Sequence, residues 1–182
     1  ALVTCGAIVW ALGHSSVSAD ATNRLEHSRD RIRELAAEGT DPSNGRPLED
    51  VSTVLRVHIQ RTAEGPGEAE LGFVGTSSNT ELVWVSSDNV SFRPEKDAKL
   101  LKHVTSRAAA SESVIETVRT PSSSYRVLVV PVQGGSQHGA LVHVIDLKVA
   151  ESQLLRTMAF YAAAAVFTVA LVTGLAWFAV ER

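Results

Sequence analysis

The chain has 182 residues, 45% of them apolar, and its 17 basic and 20 acidic side chains leave a formal charge of only −3. Charges this sparse and mixed exclude a nucleic-acid binder, and no block of like charge forms an acidic or basic tail. The single cysteine, Cys5, excludes a disulfide-stapled ectodomain and leaves the polar part of the chain without thiol chemistry.

Residues 1–13 (ALVTCGAIVWALG) carry no charge and are too short by themselves to span a bilayer. Two readings stay open. One is the outer part of a truncated first transmembrane helix running to about residue 18. The other is the tail of a secretory signal peptide, with Val17-Ser18-Ala19 as its small-x-small cleavage site, although no basic region precedes it. Residues 19–37 predict a helix with Leu25, Ile32, Leu35 and Ala36 on one face. Glu26, Arg29, Asp30, Arg33 and Glu34 mark the other face. No Gly or Pro separates this segment from the apolar one, so a single helix can leave the membrane and continue. Arg29, Arg31 and Arg33 fan around more than one face, as a solvated surface does and a phosphate site does not.

Gly39 with Asp41-Pro42 ends that helix, and residues 43–45 form a turn. Pro47 then fits the first turn of a second helix, whose apolar stripe is Leu48, Val51, Leu55 and Ile59. Gly65-Pro66-Gly67 stops it. Beyond this point the texture is that of strands. Residues 69–74 and 81–86 predict two strands around a turn at 77–79, followed by a turn at 87–89 and a short piece at 90–92. Residues 97–109 return to helix, with Leu100, Leu101 and Val104 inward. Strands follow at 113–119, 125–132 and 139–145; Pro131 implies an edge or a bulge, and Gly134-Gly135-Ser136 a hairpin turn. From Asp146 the pattern is helical, with Leu147, Ala150, Leu154 and Met158 on one stripe. This stripe leads into residues 158–180, an uncharged run of twenty-three. At ~1.5 Å per residue that run covers the ~30 Å hydrocarbon core of a bilayer. A buried helix of a soluble protein is the competing reading, but the polar remainder is too small to wrap it.

These elements predict an α+β fold: an antiparallel sheet with strands in consecutive order, flanking helices on one face, and a transmembrane helix on either side. The boundaries are 1–18 for the first span, 19–150 for the polar domain, and 151–182 for the second span and the start of a linker. A loop this long is exempt from the positive-inside rule, so charge does not orient the domain.

Local spacing encodes no catalytic residue and no metal set. The sequence lacks His-x-His, His-Glu-x-x-His, a cysteine pair, Gly-x-Ser-x-Gly and a phosphate-cradling loop. Glu49-Asp50 sits at a helix start, where the macrodipole favours acids. Candidate ligand-binding groups are those interrupting apolar strands: Trp84, Tyr125, Arg126 and His143. Against this stands the ordinary reading of a core-packing Trp and a hydrogen-bonded core His. His143 also has the chemistry to titrate near neutral pH. Ala159, Ala163, Ala170 and Gly174 are spaced by four and seven, which would let two membrane helices approach closely. An alanine-rich helix, however, presents small residues on every face.

The run from Tyr125 (YRVLVVPV), the Gly-Gly hairpin, the strand from Gly139 (GALVHVIDL), the charged helical stretch, the span and Glu181-Arg182 together resemble the input half of bacterial two-component sensor histidine kinases, especially those of high-GC actinobacteria. The resemblance lies in architecture and texture over nearly the whole chain. It implies a PAS-like (Cache-like) sensor domain, with residues about 19–156 extracytoplasmic and a multi-pass chain in the plasma membrane. It further implies a parallel homodimer in membrane lipid, an unknown small-molecule or protein stimulus, and no cofactor in this chain. A HAMP linker and an ATP-dependent kinase core would follow, acting on a cytoplasmic response regulator. None of His14, His27, His58, His103, His138 and His143 lies in the family's phosphoacceptor motif, so the chain itself would carry no catalytic core. The same input half occurs on chemoreceptors and diguanylate cyclases. A reading from another class is a membrane-anchored extracytoplasmic binding or scaffold module of a cell-envelope complex.

Overall fold

The computed structural model describes residues 2–41, 45, 47–48, 50–76, 79–86, 91–134 and 137–180, with side chains from residue 17 onward except at 76, 79, 165, 176 and 178–180. The turns expected at 43–45, 77–79, 87–89 and 134–136, and the piece at 90–92, fall wholly or partly outside those residues.

Helix α1 (Leu2–Glu38) is continuous from the apolar segment into the polar one. Its buried residues are Ala21, Leu25, Ser28, Ile32 and Leu35, a stripe with the three-and-four spacing of one helix face. Ala36, expected on that face, is exposed. Gly39 ends the helix with φ +62°, a conformation that suits glycine, and its N–H donates to the Leu35 carbonyl at 3.3 Å. Helix α2 (Val51–Arg61) starts later than the sequence suggested. Pro47 is not in its first turn but in an isolated bridge with Thr40. Asp50 sets the start instead, its carboxylate accepting the Thr53 N–H at 2.6 Å.

The remaining elements are β1 (Glu68–Thr76), β2 (Asn79–Val85), α3 (Ala98–Ala108), β3 (Val114–Arg119), β4 (Ser124–Gly134), β5 (Gln137–Asp146) and α4 (Leu147–Val180). The five strands form one antiparallel sheet in the order β2-β1-β5-β4-β3. This corrects the consecutive order expected from sequence, because β5 returns to lie between β1 and β4. Burial explains the arrangement: β4 and β5 are apolar on both faces from Val127 to Val130 and from Ala140 to Val142, which suits the centre. The more exposed β2 and β3 take the edges. Pro131 lies in an interior strand, but β3 ends its pairing at Val114 opposite Val129. At Pro131, β4 therefore has a neighbour only on the β5 side.

Helices cover both faces of the sheet, not one as expected. On one face α1 and α2 pack Leu25, Ile32, Leu55 and Ile59 against Leu128, Val130, Leu141 and Ile145. On the other, α3 packs Leu100 and Val104 against Phe73, Val127, Val129 and Val142. Strands apolar at both parities need a cover on each side, because successive side chains point to opposite faces.

Within α4, the stretch Leu147–Leu175 is long and apolar enough to cross a membrane; its most apolar window has a mean hydropathy of 2.0 and is not buried. Phe160 and Trp177 are 73% and 69% exposed, which is not the state of a soluble core helix. Among the described residues one helix meets this test. The expected two-span arrangement is therefore supported for the second span, and the first rests on sequence alone.

Candidate functional site

The period of two along β1 puts Ala69, Leu71 and Phe73 toward α3, and Glu68 and Glu70 toward α1 and α2. In β5, His143 shares the second face with Leu141 and Ile145, and the register sets it opposite Glu70. Ser28 occupies one position of the buried α1 stripe, and His58 one position of the buried α2 face. Four elements thus bring Ser28, His58, Glu70 and His143 together inside an apolar layer. All are sequestered: Ser28 and Glu70 are 0% exposed, His143 2% and His58 5%.

Glu70 Oε1 is the centre. It accepts the Ser28 hydroxyl at 3.0 Å, and it lies 3.3 Å from His143 Nδ1 and 3.4 Å from His58 Nε2. The two histidine contacts are at ion-pair distance and outside hydrogen-bond geometry; His58 Nε2, both His143 nitrogens and Glu70 Oε2 make no hydrogen bond. Outward from this node, His143 Nε2 lies 3.8 Å from Glu68 Oε2, and Glu68 Oε1 accepts Arg24 Nη1 at 3.0 Å. Arg24 Nε in turn reaches Asp20 at 2.9 Å. The Glu70 N–H donates to Ser86 Oγ at 2.6 Å, and the Ser86 hydroxyl bonds the Glu64 carboxylate.

Charge follows from these contacts. Burial pulls His143 down, but Glu68 and Glu70 outweigh it and raise its pKa to about 9. Burial pushes the Glu70 carboxyl up, and the His143 and His58 rings more than offset that, holding it well below the usual range. Glu68 is lowered by His143, against burial, with Gly65 and Arg24 adding. Glu64 is raised by burial. At neutral pH the node is a buried cation between two carboxylates, an arrangement in which removing one partner is destabilising. Among the described residues, no group of three or more His, Cys, Asp or Glu is placed to hold a metal ion.

The four ligand candidates of the sequence do not converge. His143 belongs to the node. Arg126 lies on the same sheet face; its Nη1 donates to Thr117 Oγ1 at 2.8 Å, and its buried Nε makes no hydrogen bond. Trp84 packs under α2, its indole N–H donating to Ser52 Oγ at 2.9 Å. Tyr125 faces α3, with its ring centroid 6.0 Å from that of Phe92 and its hydroxyl 3.3 Å from Asp97. None of the four lines either of two clefts. One, of about 260 Å³, lies by the end of α3 and includes Ser111, Gln133 and His138. The other, of about 270 Å³, lies between α1 and α2, with Arg31, Glu34 and Arg61 on its walls and His58 on its lining. Ala159, Ala163, Ala170 and Gly174 are exposed on α4.

Sequence reasoning missed Ser28, His58, Glu68 and Glu70. A signal existed for two of them: Ser28 and His58 stand where an apolar stripe calls for apolar residues, whereas Glu68 and Glu70 alternate with Ala69 and Leu71 as in an ordinary half-exposed strand. No protein-family model matches the chain, and no curated protein sequence matches it.

Proposed function

We propose that this chain is the sensory and membrane-relay part of a bacterial two-component sensor histidine kinase, with a PAS-like extracytoplasmic domain at residues 19–150. One observation carries the reading. The interior strand β5 ends at Asp146 and α4 begins at Leu147 with no loop between them, and the same helix carries the apolar run from residue 158, so sheet and span are joined by continuous helix. The antiparallel sheet, the helix inserted between β2 and β3, and the helical entry support the PAS-like assignment. In this reading the chain performs no chemistry of its own. It works as a parallel homodimer in lipid, spanning twice, and its small-molecule or protein stimulus is read out by a kinase region and a cytoplasmic response regulator. A chemoreceptor or diguanylate cyclase output would leave the fold and topology unchanged.

The coding sequence beyond Arg182 tests this directly. A heptad linker followed by an acidic-flanked phosphoacceptor His and an ATP-binding core is the expected result; a stop codon within a few residues would overturn it. That second outcome would favour a membrane-anchored binding or scaffold module, a reading supported by Val83 and Val85, 49% and 40% exposed on the edge strand β2. Orientation is tested separately by placing a cysteine at the exposed Ser122 in a Cys5→Ser background. Labelling by an impermeant reagent on intact cells is expected, and labelling only after lysis would put the domain inside. Ala170→Leu with Gly174→Leu should alter dimer crosslinking if that helix face packs in the dimer.

A further inference from the structure

We infer that the Ser28–His58–Glu70–His143 node is a proton-operated latch that holds α1 and α2 against the sheet. Its geometry carries the inference. One carboxylate oxygen is approached by α1 through Ser28, by α2 through His58 and by β5 through His143, so three elements are tied to β1 at a single atom. Apart from the Ser28 hydroxyl these ties are not hydrogen bonds, and the one from His143 is a charge contact whose strength depends on the proton that ring carries.

The groups facing His143 and Glu70 define how the latch responds. From β1 come Glu68 and Glu70 themselves, and from the segment before β1 comes Glu64. α2 presents His58, and α1 presents Ser28, with Arg24 acting through Glu68. On β4 the register partner of His143 is the apolar Leu128, and Arg126 on the same face bonds Thr117. With its proton, the His143 ring balances the carboxylate beneath the two helices. Without it, Glu70 remains an anion in an apolar layer, with the Ser28 hydroxyl as its one hydrogen-bonding side-chain partner among the described residues, and it regains solvation when the helices part from the sheet. The cleft between α1 and α2 is lined by His58, whose buried Nε2 contacts Glu70, so the ring stands between that cleft and the carboxylate. His143 holds its proton up to about pH 9, so the latch is closed at mildly acidic to neutral pH and opens as the medium turns alkaline.

Trp84 gives a readout in the existing chain, because its indole bonds Ser52 at the start of α2. In the full chain in detergent micelles, Trp10→Phe and Trp177→Phe leave Trp84 as the one fluorophore of its kind. Its emission is expected to shift to the red and to gain acrylamide quenching as pH rises from about 6.5 to about 9, with the far-UV helical signal retained and full reversal on return. His143→Gln should show the shifted emission already at the acidic end. The double variant Glu70→Gln with His143→Gln, with no charge left to match at either position, should show the unshifted emission throughout, and it keeps the inference testable if the single variant fails to fold. An emission flat across this range in the chain that keeps Glu70 and His143, the same transition in either variant, or loss of the helical signal in the same step would overturn the latch. These readouts concern the domain alone, so they stand or fall separately from the kinase reading, which the coding sequence decides.

Discussion

Glu70 shows how much one side chain can hold. Removing it by Glu70→Ala leaves the His143 cation buried without its nearest counter-charge, and breaking such a pair costs about 3–5 kcal/mol. Urea unfolding of the full chain in detergent should register that loss. Glu70→Gln with His143→Gln should recover most of it, because neutral groups of similar shape leave no uncompensated charge. The pH dependence follows from the direction of each shift. His143 is raised, so its contribution is complete below its ordinary value of 6.5 and is lost as pH climbs through about 9. Glu70 is depressed, so its contribution is present above its ordinary value of 4.5 and is lost as pH falls toward its lowered one. Thermal unfolding should therefore be latest between about pH 4.5 and 6.5 and earlier on both sides, and His143→Gln should flatten the alkaline side.

At the scale of elements, local chemistry sets the boundaries. Asp50 caps α2 through the Thr53 N–H, and Asp50→Ala should cost about 1 kcal/mol, read as a lowered urea midpoint with an unchanged slope. Asp97 does more than cap α3. It accepts Lys99 and Leu100 N–H groups and also the Thr120 and Tyr125 hydroxyls, so it ties the helix to the loop before β4 and to β4 itself. Gly67 holds φ +79° beside the start of α4, where an added Cβ would sit 2.8 Å from Val149 Cβ. Gly67→Ala combines backbone strain with that clash, and a loss above ~1 kcal/mol is expected in the same unfolding measurement. These elements were largely legible beforehand, because a cap, a stripe and an alternation are properties of neighbours in the chain. The late start of α2 was not. Pro47 suits a first helical turn by itself, and its pairing with Thr40 depends on where α1 ends.

For the whole molecule, the decisive property is the exposed apolar surface of α4. Val169, 66% exposed, lies well inside the uncharged run, and Val169→Arg places a charge near the bilayer centre at a cost of about 2.5–3.5 kcal/mol on an insertion scale. The wild-type chain should resist carbonate extraction from membranes and the variant should lose part of that resistance. If both wash off, the span reading fails.

Composition and periodicity alone determined the α+β class, the element types, the boundaries to within a few residues, and the apolar helix at the end. All of these depend on residues within a turn or a strand of one another. Tertiary structure decided the rest. The sequence pattern does not say that β5 returns beside β1, nor that α3 covers the face opposite α1 and α2, because pairing and cover are set by which apolar surfaces meet in space. The same holds for the node. His143 stood out as a histidine on an apolar strand, but its meaning came from Glu70 across the register and from Ser28, which lies 42 positions from the carboxylate it bonds. A buried charge is interpretable only with its partners, and those partners arrive from four elements that the chain brings together only when it folds.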